Sequence, residues 1–498
     1  MQHGTDLVLS KNNNTLCTVE SLPVEVLLKI FMHNTEFMRN TELNDPLHNR
    51  LHDARHSSQV CRLWRESLLG SPSVWGRLLD LGYYNKARVE WREELFSRVG
   101  NALLWITGYV SVSTAPLLYS VLVKKWQNVQ ILDITCLLNL VVCNGDREIW
   151  PFLTREAPSL ESINLQHFYY YGQPHPHESS SVMLFNGFAP RLRDFHDSSG
   201  SIDFESNAPW LATLHSLRLY MKPAIPGTMS ILKSTPQLRS LHATGVGEDT
   251  EFMDYIELDI PPLMHFECLE LIGCPTFLTL LLESIPLPSK RPALRRLHIG
   301  SCLHRHCDLP PETLQRMRRA CDKWIQAYFD DFPPQSIHVS EHGQQHIHKL
   351  IIGDSRAGLQ LMVVDSGHPF IPMLGTSSAF SAVTHLRIHP GPQLAFWAPL
   401  CKAFHSVIEL SVEGSGAKTE ELFDIVNQLF LFPSLRTLQW DVEGMDLFPK
   451  ILIFLEHRAS IGSPLSALCF KPVDIDRPSD AHRDRLHKIV GLVLRATP

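Results

Sequence analysis

Apolar residues recur along most of this chain at positions i, i+3 and i+5, the spacing of a short strand entered from a turn. The set runs Val129-Leu132-Ile134, Leu160-Ile163-Leu165, Leu214-Leu217-Leu219, Leu294-Leu297-Ile299, Ile347-Leu350-Ile352, Val383-Leu386-Ile388, Val407-Leu410-Val412, Leu435-Leu438-Trp440 and Leu465-Leu468-Phe470. Weaker copies stand at Leu192-Phe195, Leu238-Leu241 and Leu269-Leu271. From Leu132 onward the middle residues lie 22 to 36 positions apart, except for an interval of 53 between Leu297 and Leu350. Self-similarity at such a pitch predicts stacked units, each burying its face against the next.

Proline marks several strand starts, as in Ala157-Pro158-Ser159-Leu160, Ala189-Pro190-Arg191-Leu192, Thr235-Pro236-Gln237-Leu238 and Phe432-Pro433-Ser434-Leu435. It fixes φ and removes a donor, which ends a helix where the chain must turn into a strand. Thr276 to Glu283 and Glu420 to Phe430 read as helices between strands, so the unit is helix, proline turn, strand. Inside the long interval, Pro311 to Phe329 predicts an amphipathic helix with Leu314, Met317, Cys321, Trp324 and Ile325 on one side. That interval holds either one degenerate repeat or an insertion. Ser479 to Ala496 places Leu486, Ile489, Val490, Val493 and Leu494 opposite Arg483, Arg485 and Lys488. It predicts a C-terminal capping helix, in preference to a helix lying on a membrane surface.

The N-terminal part follows a helical pattern instead. Leu22, Val26 and Ile30 fall four apart, Leu27 and Phe31 widen that face, and Lys29 points outward. Pro23 suits a first helical turn and Glu25 complements the helix dipole, so a helix is expected to start near Leu22. Val60, Trp64 and Leu68 repeat at i, i+4, i+8 in a second amphipathic helix ended by Pro72, and Trp75 and Leu78 follow on a short turn. Between the two helices His33 to Ser58 is polar, and Asn34, Asn40, Asn44, Asp45, Pro46 and Asn49 read as loop. About 60 residues make a marginal core, and a module of that size gains stability by docking.

With 498 residues the chain exceeds one compact core, and at 44% hydrophobic and 19% charged its composition is globular. A net charge of −7 without a Lys/Arg block argues against a nucleic-acid face, so protein partners are expected. Met1 to Cys17 has neither a basic nor a continuous apolar region of a signal peptide, and no apolar run reaches the roughly 20 residues that span a bilayer. Eleven irregularly spaced cysteines do not form a disulfide framework. The reading is a soluble chain in a reducing compartment, cytoplasmic, nuclear or both.

Three ordered blocks, Leu22-Pro23-Val24-Glu25-Val26-Leu27-Leu28-Lys29-Ile30-Phe31, Val60-Cys61-Arg62-Leu63-Trp64-Arg65 and Ser71-Pro72-Ser73-Val74-Trp75, resemble an F-box. With the repeats behind it, the chain resembles F-box substrate receptors with a leucine-rich-repeat-like C-terminal domain, of the type expanded in mushroom-forming fungi. There the F-box is followed by Trp, a polar helix, Arg-x-Gly and a strand, here Trp91-Arg92-Glu93-Glu94-Leu95-Phe96-Ser97-Arg98-Val99-Gly100 and Leu103-Leu104-Trp105-Ile106. The resemblance implies a mixed α/β chain: an N-terminal tail over 1–20, an all-α F-box module over 21–80, a connecting helix and first strand over 81–110, and an irregular leucine-rich-repeat-like solenoid over 111–498. The asparagine ladder of regular leucine-rich repeats is missing. By resemblance Leu22, Pro23, Glu25, Val26, Ile30, Phe31, Val60, Cys61, Trp64 and Trp75 match the motif's adaptor-binding positions. The implied partners are a Skp-type adaptor, through it cullin and RING subunits, and a protein substrate held on the concave repeat face. The alternatives are a non-degradative repeat scaffold with a decayed F-box, a two-helix piece of a larger helical protein for the first blocks, and an ordinary α/β domain for the repeats.

Catalytic patterns are weak. Glu413-Gly414-Ser415-Gly416-Ala417-Lys418-Thr419 has the context of a phosphate loop, but Ala417 separates Gly416 from Lys418, so an inter-repeat turn is the better reading. Cys302-Leu303-His304-Arg305-His306-Cys307, with His338, His342, His346 and His348, is the densest set of metal-type side chains. Four ligands within six residues do not converge easily, and among 26 histidines such clustering reads as an incidental loop. No Gly-x-Ser-x-Gly, His-Glu-x-x-His or Gly-x-Gly-x-x-Gly pattern occurs. The expectation is a non-catalytic subunit without cofactor or metal, with ubiquitin transfer carried out by partners.

Overall fold

The computed structural model describes residues 22–35, 50–136, 151–167, 183–198, 205, 207–221, 225–245, 263, 265–287, 294–302, 310–332, 336–344, 347–353, 359–364, 378–389, 398–428, 431–443, 448–470, 480–489 and 491–496. The chain is mixed α/β with parallel sheets. It forms two compact units, Met1–Glu178 with Met183–Leu192, and Ser179–Val182 with Arg193–Pro498.

The first unit opens with α1 (Val24–Asn34), α2 (Arg50–Val60), α3 (Arg62–Leu69) and α4 (Pro72–Gly76). Pro23 is the residue before α1, and its carbonyl accepts from the Val26 and Leu27 amides at 3.0 and 3.1 Å. The buried stripe is Leu27 and Phe31, not Leu22, Val26 and Ile30: Val26 is 39% exposed and Ile30 half-buried. One residue turns a helix by about 100°, so a choice between two adjacent apolar rows decides which face is outward. The edge of Phe31 meets Trp64 at 5.1 Å between ring centroids.

Arg50–Val60, most of which falls in the stretch read as loop, is helical. Its buried residues are Ala54 and Ser57, which leave no apolar periodicity for a sequence pattern to report. The predicted continuous helix through Val60, Trp64 and Leu68 is broken at Cys61, whose φ of −154° and ψ of 173° are extended. Val60 consequently stands 60% exposed while Leu68 is buried. In α4, Pro72 occupies the first turn, where no helical acceptor is lost. Trp75 is buried there, its Nε1 donating to the Leu68 carbonyl at 2.8 Å.

The unit continues with β1 (Leu79–Asp80), α5 (Leu81–Lys86), α6 (Val89–Val99), β2 (Leu104–Val110), α7 (Ala115–Lys125), β3 (Val129–Cys136) and β4 (Ser162–His167). The four strands pair in chain order, all parallel. Gly100, at a φ of +52°, ends α6 in a backbone region that glycine enters without a Cβ clash. Gly76 sits so close to the Leu103 carbonyl that a Cβ there would overlap the oxygen.

The second unit runs β5 (Asp194–Asp197), β6 (Ser216–Met221), α8 (Ile225–Lys233), β7 (Ser240–Gly245), β8 (Cys268–Gly273), α9 (Pro275–Ser284), β9 (Arg296–Cys302), α10 (Pro311–Asp331), β10 (Ser336–Gln344), β11 (Ile347–Gly353), β12 (Leu359–Val364), β13 (His385–His389), α11 (Ala398–Cys401), β14 (Glu409–Ser415), α12 (Gly416–Gln428), β15 (Thr437–Glu443), α13 (Phe448–Ser460), β16 (Ala467–Phe470), α14 (Asp480–His487) and β17 (Val493–Ala496). Its parallel registers align the middle residues of the repeat, Leu217, Leu241, Leu269 and Leu297 in one ladder and Leu386, Leu410, Leu438 and Leu468 in another, with Leu359 of β12 and Leu494 of β17 added at their ends. Each fully buried leucine of this kind stabilises by about 2 kcal/mol. The first residue of the pattern closes a turn: the amides of Leu214, Leu238, Val383, Val407 and Leu435 each donate to the carbonyl three residues back, at 3.0 to 3.3 Å. The next residue then donates to the preceding strand, as Arg239 does to the His215 carbonyl at 2.8 Å.

Ile347-Leu350-Ile352 lies on β11, which is antiparallel to both β10 and β12 and so is not a parallel repeat strand. The long interval contains α10 and the start of a three-strand meander, completed beyond it by β12, that enters the sheet in reverse order: β12 pairs with β9, and β10 with β13. Alternation of apolar residues is the same for either strand direction, so the pattern found the strand and missed its sense. The C-terminal segment likewise is not one helix. Gly491, at a φ of +84°, separates α14 from β17, which adds to β16 in parallel. Leu486 and Ile489 are buried, whereas Val493 and Leu494 are 49% and 38% exposed. Among the described residues no helix is long and apolar enough to cross a membrane.

Candidate functional site

Two surfaces carry exposed side chains whose chemistry packing does not explain. The first is the start of α1. Pro23, Val24, Glu25 and Val26 are all exposed, Val24 by 43%, and Val60 is exposed on α2. Leu22, Ile30, Cys61 and Trp64 are half-buried, while Phe31 and Trp75 are buried at 1% and 7%. The ten predicted residues therefore divide into an outward set and an inward set. Phe31 and Trp64 are brought together, and Trp75 is pinned beneath α3 with the Arg98 guanidinium 4.9 Å from its ring. Val24 is an outward residue that the sequence pattern missed. Its signal was an apolar residue beside Pro23 and off the buried stripe.

The helical part is fastened to the strands by Arg50. Its guanidinium donates to the Arg77 carbonyl at 2.8 Å and to Thr107 Oγ1. Thr107 belongs to a polar row, Asp80, Thr107, Asp133 and Asn164, across β1 to β4. Burial lowers the Arg50 pKa, and the charges of Asp80 and Asp133 oppose that shift.

The second surface is the polar face of the second unit. His196, Arg218, His242, Glu270 and His298 stand in register across β5 to β9. Glu270 is the centre: His298 Nδ1 donates to Oε1 at 2.9 Å, His242 Nδ1 lies 2.6 Å from Oε2, and Arg218 Nη2 lies 3.7 Å from Oε2. Burial pushes the Glu270 carboxyl up, but the contacts with both histidines outweigh it and hold the group far below the usual carboxylate range. His242 is itself lowered, chiefly by burial, and Glu270 recovers only part of that shift. Further along, Arg387 Nε meets Glu413 at 3.1 Å, and Glu409 takes contacts from His385 and Gln439.

These shifts predict an acid sensitivity. His242 is depressed from 6.5 in the fold, so its contribution is present above that pH and is lost as the pH falls. Glu270 is depressed from 4.5, so its contribution is lost only at lower pH, in the same direction. The facing charged and titratable groups are Arg218, Cys268, Arg296 and His298. His242→Gln is expected to lose less thermal stability than the parent between about pH 7 and about pH 5, read by scanning calorimetry. An equal loss in both proteins would show that His242 does not titrate with folding.

The cysteines give no activated nucleophile among the groups whose titration is displaced. Burial pushes the Cys136 and Cys401 thiols up to about 12 and raises Cys321 further, which keeps them protonated near neutral pH. Among the described residues no group of three His, Cys, Asp or Glu side chains is arranged to hold a metal ion. Residues 303–309, with most of the Cys302 to Cys307 cluster, lie outside the described residues, as do the side chains of His342, His346 and His348. At Glu413 to Thr419, β14 runs to Ser415 and α12 begins at Gly416. The turn expected there has no residues of its own. Compared with known proteins, the chain matches no family model and no curated protein sequence.

Proposed function

We propose that this chain is the substrate-recognition subunit of a Skp-cullin-F-box type ubiquitin ligase, an F-box module followed by an irregular leucine-rich-repeat-like solenoid. The observation that carries the reading is the open apolar turn Pro23, Val24 and Val26 at the head of a small helical bundle whose Phe31 and Trp75 are committed inward. An apolar helix start in a small bundle is the kind of surface that a partner covers. Behind it, turn, strand and helix units offer a broad polar face suited to many weak contacts with another protein. The chain itself does no chemistry in this reading. It acts in the cytoplasm or nucleus by holding a protein substrate near the cullin and RING subunits, which raises the effective concentration of the two reactants.

Co-expression with a Skp-type adaptor tests this. The parent is expected to co-purify with the adaptor, and Val24→Glu with Val26→Glu to reduce capture at least tenfold without changing the unfolding midpoint, since both side chains are already exposed. A parent that captures no adaptor would overturn the proposal. Capture with no ubiquitination of bound proteins would leave a non-degradative repeat scaffold.

A further inference from the structure

Charge is unevenly spread over the polar face of the second unit. Arg193, His215, Arg239, Glu267 and Arg295 follow one another at the strand starts of β5 to β9, each amide after the first donating to the carbonyl before it at 2.7 to 2.8 Å. The next row is Asp194, Ser216, Ser240, Cys268 and Arg296, and past the buried row of Phe195, Leu217, Leu241, Leu269 and Leu297 comes His196, Arg218, His242, Glu270 and His298. Among the carboxylates in these rows, Glu267 lies 3.6 Å from Arg295, and Glu270 is held by His242, His298 and Arg218. Arg239 and Arg296 are exposed and make no ion pair with any described carboxylate. His215, between Arg193 and Arg239, is lowered by burial and by both neighbouring guanidinium charges. On β13 and β14, by contrast, Arg387 is matched by Glu413 at 3.1 Å. A local excess of unmatched positive charge stands on a chain whose net charge is −7.

We infer that the β5 to β9 face binds an extended acidic peptide segment running across the strands, with Arg239 and Arg296 as its two carboxylate contacts. The spacing fits. Two strand intervals plus one residue along the strand separate the two arginines by about 10 Å, and residues three apart in an extended polyproline II peptide, which share one side of it, span about 9 Å. Guanidinium groups take carboxylates through two parallel hydrogen bonds, so glutamates at every third position match this pair. The inference rests on the receptor reading and names the substrate chemistry of its repeat face.

The test uses the full chain and three fluorescein-labelled peptides, with glutamate, glutamine or lysine at every third position between serine and glycine, followed by fluorescence anisotropy. Saturable binding of the glutamate peptide is expected, weakening with added salt as screening requires and falling at least tenfold in Arg239→Glu with Arg296→Glu. Both substitutions are at exposed positions, and circular dichroism and adaptor capture are expected to be unchanged. Equal binding of the glutamate and glutamine peptides, absence of binding, or a double variant that binds like the parent would overturn the inference. So would a DNA duplex that binds through the same arginines more tightly than the peptide. Adaptor capture in the same preparation separates the two proposals: peptide binding without adaptor capture would sink the receptor reading and leave this surface standing.

Discussion

Trp324→Ala is expected to destabilise the second unit by about 3–5 kcal/mol, the range for removing a fully buried large aromatic side chain. Trp324 is 0% exposed on α10. Its indole Nε1 donates to the Leu282 carbonyl at 2.8 Å. Leu282 lies in the last turn of α9, whose final carbonyls lack helical partners. The indole therefore fills the space between two helices and satisfies an orphan acceptor. Trp324→Phe separates the two contributions: most of the buried area remains and only the hydrogen bond is lost, about 1–2 kcal/mol. Urea unfolding followed by far-ultraviolet circular dichroism reads both. If Trp324→Phe were as damaging as Trp324→Ala, shape at this position would outweigh area and hydrogen bonding together.

That helix was legible in the sequence because its pattern is long and strongly periodic. The expected Pro311 to Phe329 became Pro311–Asp331, with Met317, Cys321, Trp324 and Ile325 buried and Leu314 half-buried. The spacing i, i+3, i+5 located β3, β4, β6, β9 and β13 to β16, and its weaker copies fall on β5, β7 and β8. In β8 the missing first residue is Phe266, which is 1% exposed, so the copy was complete but aromatic. Sense and partner choice were not legible. Nothing in Ile347-Leu350-Ile352 distinguishes an antiparallel meander from a parallel unit, because register is decided by which neighbour closes the ladder. The polar α2 was invisible for a different reason: what fastens it is Arg50 reaching Thr107 and the Arg77 carbonyl, contacts that carry no local pattern. The outward face of α1 depended on a rotation of one residue. The Glu270 cluster required three strands distant in sequence to come into register.

Arg458 is the other residue whose loss is expected to cost most, about 3 kcal/mol for Arg458→Met. It is 1% exposed near the end of α13. Its guanidinium donates to the carbonyls of Ser463 at 3.2 Å, Leu431 at 3.4 Å and Pro433 at 3.3 Å. Burial lowers its pKa. The Leu431 and Pro433 carbonyls flank Phe432, whose φ of +55° is a conformation that costs a residue with a Cβ. Arg458 thus holds in place the strained turn that delivers the chain to β15. Methionine would keep much of the side-chain volume and leave those carbonyls short of donors, each worth about 1–3 kcal/mol when buried and unpaired, with incomplete additivity. Arg458→Lys retains the charge but not the planar fork that reaches several acceptors at once, so it is expected to fall between parent and methionine variant. Hydrogen exchange adds the spatial reading. Amides of β15 and of the turn through Leu435 should lose protection in Arg458→Met before those of β7 and β8 do. Uniform loss across all strands would mean that Arg458 supports the unit as a whole rather than this turn.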